Sequence, residues 1–172
     1  MSIYIAFGSN QAFGSIQPAA LLCEAGNALE AKGVRLVARS SLWRSPAWPD
    51  PADPAYVNAV AEVETRLTPR ELLACLHEVE GQFGRVRAVR NAPRTLDLDI
   101  IDFDGLIAGE GQGPLLPHPR AHQRAFVLLP LAEIAPGWAH PATGEGIAAL
   151  TEALARADVE ATTRLGRFAA GS

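Results

Sequence analysis

One stretch of the chain, residues 85–104, combines residue types that can bind phosphate and metal ions. Four arginines, Arg85, Arg87, Arg90 and Arg94, come directly before the run Thr-Leu-Asp-Leu-Asp-Ile-Ile. Arginine recognises phosphate oxygens through a planar guanidinium that binds them in a bidentate manner. The arginines ahead of this run therefore suit a polyphosphate.

The run itself predicts a strand that carries two carboxylates on one face. Side chains alternate along a strand, so Asp97 and Asp99 lie together while Leu96, Leu98 and Ile100 face the opposite side. Adjacent carboxylates repel each other, and hard cations or nearby guanidinium groups can neutralise them. An Asp-x-Asp strand on its own is more often a solvated face. The neighbouring arginines favour a site for metal ions and polyphosphate.

Residues 90–101, with the sequence RNAPRTLDLDII, resemble the signature of the 6-hydroxymethyl-7,8-dihydropterin pyrophosphokinase family of folate biosynthesis. The resemblance implies that pyrophosphate is transferred from ATP to the hydroxymethyl group of the pterin, with release of AMP. It implies two Mg²⁺ ions bound by Asp97 and Asp99. It also implies that Arg85 and Arg94 act with these two aspartates in catalysis.

The same resemblance assigns residues to the two substrate sites. The nucleotide is expected to contact Glu80, Arg87, Arg90, Ile100, His118 and Arg124. The pterin is expected to contact Gly8, Ser45, Pro46, Trp48, Tyr56, Asn58 and Phe126.

Several of these residues fit such roles by their own chemistry. Tyr56 and Asn58 are two apart on a predicted strand, so they present a ring and an amide on one face, as a flat heterocycle requires. Trp48 lies in a loop with four prolines, where it either packs back on the core or covers a ligand. Glu80 falls in the last turn of a helix, where the dipole disfavours a carboxylate and a neighbouring arginine can stabilise it.

The order of predicted elements is strand, helix, strand, strand, helix, strand, and then more helix. This order favours an α+β sandwich of the ferredoxin-like type, with a mostly antiparallel sheet and extra C-terminal helices. The later elements are a hairpin turn at residues 102–105 into residues 106–108, a buried helix at 125–135 and a long amphipathic helix at 146–157. Residues 159–165 form either a closing strand or a tail, and residues 34–44 form one continuous strand.

Length and composition narrow the possible classes. The chain has 172 residues, 48% hydrophobic and 20% charged, which predicts one domain over residues 1–172. Its N-terminus lacks signal-peptide features, and no apolar run is long enough to span a membrane. Cys23 and Cys75 are expected to be free thiols in a reducing cytoplasm, and nothing requires more than a monomer.

A binding module for RNA or another nucleotide is the competing interpretation, since ferredoxin-like sheets can bind RNA through exposed aromatic residues. Two observations count against it. The predicted site strand carries carboxylates, which repel phosphate unless a metal ion is present, and the net charge of the chain is −4.

Overall fold

A six-stranded antiparallel sheet organises the part of the chain that the computed structural model describes, residues 2–85 and 95–169. The strands are β1 (Ile3–Ser9), β2 (Arg35–Arg39), β3 (Ser41–Ser45), β4 (Tyr56–Glu64), β5 (Asp97–Phe103) and β6 (Thr163–Arg167). They lie in the order β5-β1-β4-β3-β6, and β2 also pairs with β4. The helices are α1 (Pro18–Ala31), α2 (Pro69–Gln82), α3 (Ala125–Ile134), α4 (Ile147–Glu152) and α5 (Arg156–Ala161), with a 3-10 turn at Ala121–Gln123.

Alternating side chains give the sheet two buried faces. From β1, Ile3, Ile5 and Phe7 pack with α1 and α2, whereas Tyr4 and Ala6 pack on the opposite side with α3 and α4. Strand β4 alternates in the same way, because Ala59, Ala61 and Val63 belong to the first core and Val60 to the second. The prediction of a mixed fold with an antiparallel sheet is therefore confirmed.

Local signals explain where the two long helices begin and end. Thr68 and Glu71 form a capping box at the start of α2, and Pro69 occupies its first turn. Pro18 likewise occupies the first turn of α1, and the buried residues of this helix include Leu22 and Leu29. Gly33 and Gly84, each with a positive φ, follow the two helix ends.

Two predicted elements were wrong in their continuity. The strand predicted at residues 34–44 is divided at Ser40, whose hydroxyl accepts a hydrogen bond from Val60 N–H and takes the place of a backbone acceptor. The helix predicted at residues 146–157 is two short helices, α4 and α5. The apolar stripe ends at Leu154 and α5 buries no residue, so packing does not favour one continuous helix.

The expected hairpin after β5 is absent from the described residues, whereas the expected C-terminal strand is present. The hairpin expected at residues 102–108 is only a turn, because Leu106–Ala108 forms no strand and Ala108 makes an isolated bridge to Leu116. Asp102 does shape that turn, since its side chain accepts a hydrogen bond from Gly105 N–H at 2.9 Å. Of the alternatives for the C-terminal segment, the closing strand is confirmed as β6, which pairs with β3.

The chain beyond β6 returns to the core through Phe168. This side chain is 4% exposed, its ring lies 5.0 Å from that of Phe7, and the guanidinium of Arg39 lies 5.2 Å above it. The contact joins the C-terminal segment to the central strand β1.

We predict that Phe168→Ala lowers the free energy of unfolding by about 3 kcal/mol, because it leaves a cavity against Phe7. Leu165→Ala, in the exposed strand β6, is the matched control and should change stability by less than about 0.5 kcal/mol. Urea unfolding of both variants measures the difference. Equal effects would show that Phe168 does not anchor the segment.

Candidate active site

A cavity of about 350 Å³ opens on the α3 face of the sheet, at one end of its central strands. Because neighbouring strands are antiparallel, the end of β1 lies beside the beginnings of β4 and β5. Gly8 is opposite Asn58 on one side and opposite Asp97 on the other. The register therefore brings an amide and a carboxylate to either side of a residue that has no side chain.

The expected pterin residues come together along this cavity. Gly8, Ser45, Pro46, Trp48, Tyr56, Asn58 and Phe126 all line it. Trp48 is 73% exposed, so of the two alternatives for this residue the structure excludes packing on the core.

The buried amide of Asn58 has a fixed orientation. Its Nδ2 donates a hydrogen bond to Ser45 Oγ at 2.9 Å, and its Oδ1 is directed towards Gly8, where an added Cβ would lie 3.5 Å from it. One N–H of the amide is thus used within the protein. The carbonyl and the remaining N–H can recognise a heterocycle with a matching donor and acceptor.

Asp97 and Asp99 lie on one face of β5, as the alternation predicted, and both line the cavity. Burial raises the pKa of Asp99 to about 7, and the negative charges of Asp97 and Glu80 add to the effect. The positive charges of Arg124 and Arg85 oppose it. A cation bound beside Asp99 would therefore stabilise the ionised form of this carboxylate.

Asp97 forms a salt bridge with Arg85, which also pairs with the buried carboxylate of Glu80. Glu80 is 1% exposed and Arg85 9%, and Arg85 Nη1 donates to the carboxylates of both Glu80 and Asp97. Glu80 also accepts a hydrogen bond from Leu98 N–H, which joins α2 to β5. Burial alone would lower the pKa of Arg85, but the two carboxylates raise it overall. The expected stabilisation of Glu80 by an arginine is confirmed.

His118 and Arg124 occupy the opposite wall. His118 Nδ1 accepts a hydrogen bond from Arg120 N–H at 3.1 Å, so the neutral ring carries its proton on Nε2. Burial, together with the charges of Arg124 and Arg120, lowers the pKa of His118 to about 4. His118 is thus a neutral hydrogen-bond donor at pH 7. The guanidinium of Arg124 lies 5.5 Å from the ring centre of Phe126.

Three predicted residues, Arg87, Arg90 and Arg94, lie outside the described residues. Ile100 is described, and its side chain belongs to the core on the helix α1 and α2 side of the sheet. Any contact between Ile100 and a nucleotide would therefore have to come from its backbone.

Sequence reasoning did not assign some residues that line the cavity, namely Ala6, Phe7, Ile101, Arg120, Ala121 and Val127. The residues at positions 6 and 101 could have been found by extending the alternation of β1 and β5. Arg120 and Ala121 depend on how the segment before α3 lies on the sheet, and Val127 depends on how α3 packs there.

Among the described residues, no three His, Cys, Asp or Glu side chains are grouped so that they could hold a metal ion. Two carboxylates are nevertheless the protein ligands that Mg²⁺ commonly uses, with water and substrate phosphates completing the coordination. The donor set thus fits Mg²⁺ bound together with a phosphate.

None of the helices in residues 2–85 and 95–169 is both long enough and apolar enough to cross a membrane.

Residues 4–136 match the model of a family described as 7,8-dihydro-6-hydroxymethylpterin-pyrophosphokinase. The chain belongs to this family. A Methylorubrum extorquens protein named 2-amino-4-hydroxy-6-hydroxymethyldihydropteridine pyrophosphokinase is 40% identical to it over 134 residues, which is 77% of this chain and 82% of the relative. A Pseudomonas aeruginosa protein of the same name is 42% identical over 139 residues, covering 78% and 80%. This pyrophosphokinase is therefore a transferase of folate synthesis.

Solved structures agree on the fold. A crystal structure of an HPPK-DHPS protein in complex with substrates aligns with a TM-score of 0.71 at 12% identity. The alignment covers 96% of this chain and 48% of that longer chain. At this identity the likeness supports the fold alone.

We predict that Glu80→Ala lowers the free energy of unfolding of the pyrophosphokinase by about 3 kcal/mol. The substitution removes a buried partner of Arg85 and the acceptor of Leu98 N–H. Glu78→Ala, on the same helix but in an exposed pair with Lys32, should cost less than about 1 kcal/mol. Thermal unfolding compares the two, and similar losses would refute a structural role for Glu80.

We also predict that binding of Mg²⁺ with α,β-methylene-ATP releases protons below about pH 7 and few above pH 8. A cation and a proton compete for Asp99, whose pKa is raised to about 7 in the free protein. Calorimetric titration in buffers of different ionisation enthalpy counts the protons. Asp99→Asn should reduce this release to the part that the terminal phosphate of the nucleotide contributes when it binds Mg²⁺, and a release equal to that of the unsubstituted protein would contradict the assignment to Asp99.

Proposed function

We propose that this cavity binds ATP and 6-hydroxymethyl-7,8-dihydropterin and transfers pyrophosphate from the first to the hydroxymethyl group of the second, releasing AMP. The observation that carries the proposal is the paired carboxylates of Asp97 and Asp99, which face the same cavity as Tyr56, Asn58 and Phe126. One cavity thus offers a site for a flat heterocycle beside a site for phosphate.

The pterin is proposed to bind at the Asn58 end of the cavity. The amide of Asn58, oriented by Ser45, pairs with the hydrogen-bonding edge of the pterin. Tyr56 and Phe126 provide aromatic surface for its ring system, and the exposed Trp48 with Pro46 can cover it. The absence of a side chain at Gly8 leaves room for the ring between Asn58 and Asp97.

The triphosphate is proposed to lie between Asp97/Asp99 and the wall formed by His118 and Arg124. His118 Nε2–H can donate to a phosphate oxygen without adding a charge. Arg124 contributes a positive charge on the same wall. Arg87, Arg90 and Arg94 are proposed to bind the phosphates as well, on the basis of the resemblance in sequence.

Asp97 and Asp99 are proposed to hold two Mg²⁺ ions. When bound, these ions supply neutralisation of the phosphate charge and orientation of the attacking and leaving oxygens. Arg85, fixed by Glu80, contributes by orienting the Asp97 carboxylate.

The reaction forms a bond between the hydroxymethyl oxygen and the β-phosphorus and breaks the bond between that phosphorus and the oxygen bridging to the α-phosphate. The hydroxyl proton leaves, and Asp97 is the candidate acceptor if a base takes part. Closing the cavity against water protects ATP from hydrolysis.

The proposal extends to the fold type, the oligomeric state and the location of the protein. The strand order β5-β1-β4 with β3 beyond it, and the crossovers through α1 and α2, support a ferredoxin-like domain that spans residues 1–172. A monomer in the cytoplasm is proposed, without nucleic-acid or membrane partners. The free thiols of Cys23 and Cys75 suit a reducing compartment.

Product analysis tests the proposed reaction. The protein is incubated with ATP, Mg²⁺ and 6-hydroxymethyl-7,8-dihydropterin, and the nucleotides are separated by chromatography. AMP that forms only when the pterin is present is the expected result. Formation of ADP would indicate an ordinary kinase. An absence of turnover would favour the alternative that the protein is a binding module.

We predict that Asp97→Ala lowers the rate of AMP formation by at least about 100-fold, because it removes a charge on which phosphate and cation binding depend. If the protein were instead an RNA-binding module, the same variant would bind RNA equally well or better, since a repulsive carboxylate is gone. Rate and RNA-binding assays on the same two proteins separate the alternatives. Asp104→Ala, outside the cavity, serves as the charge-matched control.

A further inference from the structure

Arg120 places a cation on the cavity wall beside His118 and Arg124. Among the residues that the structure describes, its guanidinium makes neither a salt bridge nor a hydrogen bond. Arg124 differs, because it packs over Phe126 and its charge acts on Asp99.

The backbone of Arg120 is held in place on a short, well-bonded turn. Its N–H donates to His118 Nδ1 at 3.1 Å and its carbonyl accepts from Gln123 N–H at 3.0 Å. His118 N–H in turn donates to Ile101 O at 2.8 Å, which ties the turn to β5. A guanidinium carried by a fixed backbone loses less entropy on binding a ligand.

The charge balance of the cavity leaves room for this cation. His118 is neutral at pH 7 and brings no charge. The charged side chains among the described residues lining the cavity are therefore two aspartates and two arginines. A triphosphate adds several negative charges, whereas a pterin ring is uncharged. Cations on the wall are therefore matched to the nucleotide and not to the pterin.

We propose that Arg120 is a further nucleotide-binding residue of this enzyme, and that its guanidinium binds phosphate oxygens of ATP at the His118 wall of the cavity. The inference rests on the proposed function, since it takes ATP as the ligand. It adds a contact from a residue whose main chain also sets the tautomer of His118.

Side-chain substitution can isolate this contact. Arg120 holds His118 through its backbone N–H, so Arg120→Met removes the guanidinium and keeps that hydrogen bond. Arg120→Lys retains the charge but loses bidentate geometry. Arg156→Met is the matched control, because Arg156 is 90% exposed on α5, pairs with Glu160 and does not line the cavity.

Isothermal titration with Mg²⁺ and α,β-methylene-ATP measures nucleotide affinity in the full-length variants, and titration with the pterin measures the other site. We expect Arg120→Met to weaken nucleotide binding about tenfold, with an intermediate loss for Arg120→Lys. Pterin affinity and the melting temperature should stay near those of the unsubstituted protein, as should all three quantities in Arg156→Met.

Three results would overturn the inference: unchanged nucleotide affinity in Arg120→Met, an equal loss in Arg156→Met, or a loss confined to the pterin. Each of these leaves the proposed function standing if the unsubstituted protein forms AMP from ATP and pterin. Failure of the unsubstituted protein to bind the nucleotide analogue would instead remove the proposed function itself.

Discussion

The repulsion between two carboxylates on one face of β5 is the interaction on which the rest of the site depends. Asp97 and Asp99 lie two residues apart on the strand and are partly buried. Burial, together with the negative charges of Asp97 and Glu80, raises the pKa of Asp99 to about 7. Of these two aspartates, Asp97 forms a salt bridge with Arg85, and within residues 2–85 and 95–169 Asp99 forms none. Among the described residues, Arg85 thus neutralises Asp97, whereas Asp99 can be stabilised by a proton or by the cation that we propose binds there.

The antiparallel register places that pair beside the residues that we propose bind the pterin. Gly8 stands between Asn58 and Asp97, so one residue without a side chain separates the proposed pterin end of the cavity from its proposed phosphate end. Helix α3 supplies the opposite wall through Phe126, and Glu133 on the same helix accepts hydrogen bonds from Ser41 and Trp43 of β3. Helix α3 is therefore held against the sheet both by apolar packing and by the hydrogen bonds of the Glu133 carboxylate to β3.

Much of this arrangement could be predicted from local sequence. The alternation of Leu96–Ile100 gave the orientation of Asp97 and Asp99, and the capping box at Thr68 gave the start of α2. Contacts between distant segments could not be predicted in this way. The division at Ser40 depends on Val60, the burial of Phe168 depends on Phe7, and the place of Arg120 on the wall depends on the tie between His118 and Ile101.

The central claim is that Asp97 and Asp99 bind cations together with the nucleotide and the pterin. Counting bound Mn²⁺ by electron paramagnetic resonance, in the complex with α,β-methylene-ATP and the pterin, tests it most directly. The account predicts two ions per chain, and fewer than two when Asp99 is replaced by Asn. The same number of ions in both proteins, with unchanged affinity, would contradict it.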